Sequence, residues 1–178
     1  MKKKLKLLYV FAILFSLSGC SPSPEEIAFR AALIDKALND QNSRAGKLFL
    51  ENNKLLEGVV TTASGLQYRV LNSTVESKRS AAALKNASMT DRVEVNYEGR
   101  LVTGEVFDSS YERNEPSEFP INAVIKGWRE VLLKMREGDQ WRVFIASHLA
   151  YGAKSPNALI AANSTLIFDI ELITIKGK

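Results

Sequence analysis

The sequence predicts an α+β protein: a curled antiparallel β-sheet of about five strands over one short α-helix, preceded by an N-terminal helical arm. Three observations predict it. Apolar residues recur at helical spacing from position 27, several runs beyond position 60 alternate with a period of two, and one amphipathic pattern (Trp128, Val131, Leu132, Met135) stands among those runs. A lone helix among antiparallel strands can bury its apolar face only if the sheet curls over it.

At the amino terminus Lys2, Lys3, Lys4 and Lys6 precede an apolar run over 7–17 that ends in small residues. This is the pattern of an export signal over residues 1–19, and its apolar part is shorter than the roughly 20 residues of a spanning helix. The run closes on Leu17-Ser18-Gly19-Cys20, which resembles the lipobox of bacterial lipoproteins. That resemblance implies a lipid on Cys20, the one cysteine of the chain, so an internal disulfide is excluded. Acyl chains there would hold the protein to a membrane at roughly 0.8 kcal/mol per buried methylene. Ser21 is similar to the sorting residue of outer-membrane lipoproteins, and the expected location is the bacterial envelope, on the outer membrane facing the periplasm.

The whole chain has 24 Lys+Arg against 20 Asp+Glu, and the signal holds four of those lysines, which leaves 20 against 20. A neutral chain lacks the basic footprint of a nucleic-acid binder, so no nucleic-acid partner is expected. The remaining length suits one domain with an appendage.

Residues 20–24 read as a lipidated stalk. Ser23 and Glu26 form a capping-box pattern with Pro24 at the first helical position. Ile27, Ala31, Ile34 and Leu38 keep helical spacing, poor helix formers interrupt at 39–43, and a second stretch carries Leu48, Phe49, Leu55 and Leu56 up to Gly58. Residues 25–58 are therefore a helical arm, as one imperfect helix or two. Its apolar stripe fits a dimerisation arm, which would make a homodimer, and equally a helix packed on its own domain.

Residues 59–178 form the main domain. Leu66, Tyr68 and Val70 alternate within 61–71, and 73–90 is a polar surface loop, locally helical around 81–84. Residues 92–101 alternate with Val93, Val95 and Tyr97 on one face; a turn at Thr103-Gly104 returns the chain as a partner strand over 105–109. Phe119 and Ile121 mark a shorter strand beside Pro120, at an edge or bulge. The helix spans 127–136, and 140–146 and 165–175 are further strands, the last with Leu166, Phe168, Ile170 and Leu172 on one side. Between these two strands lies a long loop, 149–164.

Two segments carry the chemistry: Val95-Asn96-Tyr97-Glu98-Gly99 and Val106-Phe107-Asp108-Ser109-Ser110. An antiparallel hairpin brings two rings and one carboxylate into an apolar hollow, which suits desolvation and not bond cleavage. His148, the sole histidine, reads as a polar cap at a strand end, so no catalytic triad is available. No cluster has metal-ligand spacing and no Gly-rich phosphate loop occurs, so neither a metal nor another cofactor is expected.

Six segments in register, Gly65-Leu66-Gln67-Tyr68, the two just named, Val124-Ile125-Lys126-Gly127-Trp128, Ala150-Tyr151-Gly152 and Leu166-Ile167-Phe168-Asp169, resemble FKBP-type peptidyl-prolyl cis-trans isomerases. Phe49-Leu50-Glu51-Asn52-Asn53 and the run into Gly58-Val59 are similar to the arm of the Mip-like envelope branch. The resemblance implies isomerisation of X–Pro bonds in unfolded or exported proline-containing proteins, and a pocket for rapamycin-like macrolides. It implies Trp128 as the pocket floor, with Tyr97, Phe107, Phe119, Val124, Ile125 and Phe168 as walls and Ile160 and Leu159 as loop contacts. It also implies that the Ile125 N–H and the Tyr151 hydroxyl reach the substrate carbonyls on either side of the proline. Asp108, with Arg113 beside it, would orient the rim and polarise the twisted imide. Ser117 stands where many members have an aromatic wall, Ala161-Ala162 replaces a Pro or Gly pair, and Pro156 replaces a histidine of some members. The competing reading is a lipid-anchored, non-enzymatic chaperone with a vestigial pocket.

Overall fold

The computed structural model describes residues 22–73 and 86–177, without the side chains of residue 35 and residues 37–40. The expected signal, Cys20 and the local helix at 81–84 lie outside the described residues. The chain divides into two compact units, Met1–Asp35 and Lys36–Lys178.

Helix α1 spans Pro24–Asn53. Its start follows the capping pattern: the Ser23 Oγ accepts the Glu26 N–H at 3.2 Å, and Glu25 and Glu26 occupy the first turn, where the helix dipole favours them. The interruption at 39–43 does not break the helix. Poor formers lose only tenths of a kcal/mol each, and packing of the following turns outweighs that. Asn42 Nδ2 donates to the Ala162 carbonyl at 3.2 Å, and the Phe49 ring lies 5.9 Å from that of Phe144. Asn53 Nδ2 donates to Gln67 Oε1 at 2.8 Å. Gly46, on the same face, comes so close to Thr165 that a Cβ would stand 2.2 Å from its Oγ1. This half of the helix is thus packed on its own domain. In the first unit, by contrast, Ile27, Phe29, Leu33 and Ile34 are exposed. The helix ends at Asn53, short of Gly58, which takes φ +75° in the turn that follows.

Among the described residues seven strands make one sheet: β1 (Val59–Thr61), β2 (Gln67–Asn72), β3 (Arg92–Leu101), β4 (Val106–Ser109), β5 (Ser117–Pro120), β6 (Gln140–Ile145) and β7 (Leu166–Lys176). Their order is β1-β2-β6-β7-β3-β4, with β5 also paired to β3. All pairs are antiparallel. The count exceeds five chiefly because Val59–Thr61, just before the alternating run at 61–71, forms a strand of its own that pairs with β2 across the intervening turn. The strand expected around Phe119 and Ile121 ends at Pro120; Ile121 begins a 3-10 turn, Ile121–Ala123, and is fully buried there.

Three short elements separate β4 from the helix of the core: a one-turn helix, β5 and the 3-10 turn. The one-turn helix, α2 (Ser110–Arg113), escaped the sequence reading. The second helix of the main domain, α3, covers Lys126–Leu132, less than the expected 127–136. Its stripe is as expected: Trp128, Val131, Leu132 and, past the helix end, Met135 are all buried. They meet Val93, Val95, Val143, Ile145, Leu166 and Leu172 from the sheet in one core. At the start of α3, a Cβ on Gly127 would fall 2.6 Å from Ile145 Cγ2, so glycine sets how closely the helix seats.

Candidate active site

A cavity of about 270 Å3 opens between β3, β4, β5, β7 and the start of α3, lined by Tyr97, Phe107, Asp108, Phe119, Ala123, Val124, Ile125, Trp128, Tyr151 and Phe168. The rings meet edge to face. Trp128 lies 5.2 Å from Tyr97 and 5.2 Å from Phe168, and 5.7 Å from Phe119, each near perpendicular. Phe107 meets Phe168 at 5.5 Å. Such pairs each add about 0.5–1.5 kcal/mol beyond burial, so the rings hold one another apart and the hollow does not collapse. Trp128 retains 4% exposure and still lines the cavity.

Gly99 makes room for this wall. A Cβ there would stand 2.6 Å from the Phe107 ring and 2.8 Å from Phe168 Cε1. The pairing of β3 with β4 also shifts register at Gly99/Arg100, which turns Phe107 toward the cavity.

Local sequence builds the polar rim. Ser109 caps α2 by accepting the Glu112 N–H at 3.3 Å, and Asn114 closes it in the left-handed region at φ 53°. Ser110 is fully buried and its Oγ accepts the Tyr97 N–H at 2.8 Å. That one helical turn returns Arg113 to Asp108, with which it forms an ion pair. The Tyr97 hydroxyl donates to Asp108 Oδ2 at 2.5 Å. Arg113 Nη2 donates to the Tyr97 hydroxyl at 3.1 Å and to Ser117 Oγ at 3.2 Å, and its guanidinium lies 5.6 Å from the Tyr97 ring centre. Burial, reinforced by the bond to Asp108, holds the Tyr97 phenol above its usual pKa. Asp108 itself is not buried: its side chain is 42% exposed and that of Arg113 is 47% exposed.

Tyr151 stands on the far side of the opening. Its phenol is pushed up by burial and then by the Asp108 charge, and no hydrogen bond ties its hydroxyl to another described residue. The Ile125 N–H, just before α3, likewise has no backbone acceptor among the described residues.

Of the residues singled out in the sequence, Leu159 and Ile160 do not line the cavity. Asn157 Oδ1 accepts the N–H groups of Leu159 and Ile160 at 3.0 Å each, and this turn buries Ile160 in the core while leaving Leu159 exposed. His148 lies in a 3-10 turn just after β6, with Nε2 3.3 Å from the Ser64 carbonyl. Sequence reasoning missed Ala123, whose single methyl carries no signal, and the parts played by Ser109 and Ser110. The Ser-x-x-Glu spacing at Ser109 and Glu112 could have revealed α2.

An aromatic hollow without a nucleophile, on a sheet curled over one helix, defines a class: this chain belongs to the FKBP-type peptidyl-prolyl cis-trans isomerase family. The model of that family matches residues 84–173, and that of the domain amino terminal to it matches residues 25–70. The peptidyl-prolyl cis-trans isomerase Mip of Coxiella burnetii is 43% identical over 137 residues, 77% of this chain and 56% of that protein. The outer membrane protein MIP of Legionella longbeachae is 38% identical over 150 residues, 84% of this chain and 60% of that protein. The chain thus spans somewhat more than half the length of these two relatives. The crystal structure of FkpA from Escherichia coli is similar with a TM-score of 0.74 at 31% identity, over 99% of this chain and 83% of that one.

Proposed function

We propose that this chain isomerises X–Pro bonds of unfolded or exported proteins at the bacterial envelope, through desolvation in the aromatic cavity. The observation that carries the reading is the standing hollow over Trp128, ringed by Tyr97, Phe107, Phe119 and Phe168. The X–Pro bond resists rotation by about 18–20 kcal/mol because its C–N bond is conjugated, and it turns over tens to hundreds of seconds unaided. When it twists, conjugation is lost and the carbonyl becomes less dipolar. A dry cavity therefore disfavours the planar amide relative to the twisted one.

In this reading the proline ring sits on Trp128, between Tyr97, Phe107, Val124 and Phe168. The Ile125 N–H takes one flanking carbonyl, and the Tyr151 hydroxyl donates to the other. Asp108, held by Tyr97 and Arg113, orients the rim and polarises the twisted imide. Its exposure screens that contribution, so its role is to aim the substrate more than to drive the turn. Ile160 supports the loop from within the core. The same cavity would take rapamycin-like macrolides.

A lipid on Cys20 would tether the chain to the periplasmic face of the outer membrane; of this, the printed name of the Legionella relative, an outer membrane protein, supports the membrane alone. Cys20→Ser should then release it from the membrane fraction. The exposed Ile27, Phe29, Leu33 and Ile34 of α1 favour a homodimer through these helices. The same exposure favours the second reading, a tethered chaperone holding apolar client segments.

A protease-coupled assay on a short X–Pro peptide, run beside suppression of aggregation of a proline-free client, tests the proposal. Catalysed isomerisation supports it. Aggregation suppression without any catalysis would leave only the chaperone.

A further inference from the structure

On the face of the sheet opposite the aromatic cavity lies a groove of about 290 Å3, between the end of α1 and strands β2, β6 and β7. Its floor is apolar, with Phe49, Leu56, Phe144 and Ile167, and three arginines also line it: Arg69, Arg100 and Arg142. Arg69 and Arg142 are direct cross-strand partners on one face of the sheet. Like charges so placed repel unless carboxylates compensate them.

The compensation is incomplete. Arg142 is satisfied by Asp169, its Nε and Nη2 donating at 2.6 and 2.7 Å. Arg100 pairs with Glu98 and also reaches Asp169, at 3.4 Å. Two carboxylates therefore serve two of the three guanidinium groups, and among the described residues no carboxylate lies within ion-pair distance of the third, Arg69. The Arg100 Nε is buried without a hydrogen-bond partner among the described residues. An apolar trough with one uncompensated cation at its edge complements an apolar group that carries an anion.

We propose that this groove binds a short polypeptide segment in which an apolar side chain stands next to a carboxylate. The side chain lies on Phe49, Phe144 and Ile167, and the carboxylate pairs with Arg69. A peptide is favoured over a lipid anion because the isomerase reading supplies polypeptide clients and because the groove, at about 290 Å3, is just below the roughly 300–1,000 Å3 of small-molecule pockets and matches one or two side chains. The proposal rests on the isomerase reading only in taking polypeptide as the client. It adds a grip that needs no proline and leaves the catalytic cavity free.

The test is a titration of the isotope-labelled full chain with acetyl-Gly-Phe-Glu-Leu-Gly-amide, followed by amide chemical shifts. Shifts should cluster at residues 69, 144 and 167. Replacing the peptide's glutamate by glutamine, or Arg69→Gln in the chain, should each weaken binding about tenfold, the effect of one lost charge-assisted bond. Isomerisation of an X–Pro substrate should continue unchanged in saturating peptide and in the Arg69→Gln variant, which separates this site from the catalytic one. Absence of shifts at millimolar peptide would overturn the proposal, as would full affinity in Arg69→Gln. Binding of laurate without binding of the peptide would overturn it in favour of a lipid anion. Shifts centred on Trp128 together with inhibited turnover would overturn it in favour of the proline cavity.

Discussion

Floor and rim of the one cavity are built by opposite physics. Trp128 and Phe168 are each 4% exposed and are held by perpendicular rings. Asp108 and Arg113 are 42% and 47% exposed, and Tyr151 is 38% exposed. The floor removes water, and its contribution is undiminished by salt. The rim directs hydrogen bonds through solvent-screened groups, each worth one bond or less. Substitutions in the floor should therefore damage folding and turnover together, whereas those in the rim should reduce turnover and leave folding nearly intact.

The largest effect is expected for Trp128→Ala, which should lower stability by about 3–5 kcal/mol and abolish isomerisation. Denaturant unfolding and a coupled peptide assay would measure both, and an active Trp128→Ala would end the distinction at its strongest point. Gly99→Ala comes next, because the new methyl must push the Phe107 ring aside; overpacking of this kind destabilises by about 1–3 kcal/mol. Retained stability with reduced kcat/KM would show that the ring yielded into the cavity.

For the rim, Asp108→Leu should reduce kcat/KM about tenfold, as for loss of a bond to a charged group, with stability changed by less than about 1 kcal/mol. Unchanged turnover of a proline peptide would contradict its role. Tyr151→Phe should reduce kcat/KM about threefold, the scale of one neutral hydrogen bond, with no shift in melting temperature.

The smallest effect concerns pH. Burial favours the neutral phenol of Tyr97, raising its pKa above the ordinary 10.0. The folded chain therefore holds that proton more tightly than the unfolded one. The resulting stabilisation is complete below about pH 10 and is lost as pH rises through the raised value. Thermal melts of the wild type should fall off more steeply above pH 10 than those of Tyr97→Phe.

Legibility followed the length of the pattern. Strand β3 was read to its exact ends, and the stripe of Trp128 and its neighbours as buried, since ten alternating residues or four helically spaced ones leave little ambiguity. Strand β1, helix α2 and the early end of β5 were not read. Each holds only three or four residues and exists through its partners: β2 for β1, Ser109 and Asn114 for α2, β3 for β5. The continuity of α1 through residues 39–43 was hidden for a related reason, because the packing of Gly46 on Thr165 and Phe49 on Phe144 lies far away in sequence. In the cavity, ring residues were visible through their family spacing. How Leu159 and Ile160 are disposed was not legible, because the turn around Asn157 decides which of two adjacent apolar residues faces inward, and periodicity is silent in a loop.

Gly127 touches Ile145 so tightly that not even a methyl group fits between them. Cavity depth is therefore fixed from below: any larger residue at that position would jack the helix upward and thrust the indole into the space reserved for substrate. Changes in client preference among chains of this design have to come from the sides, through positions such as Ser117, Ala123 and the 151–160 loop, which can vary without disturbing the foundation.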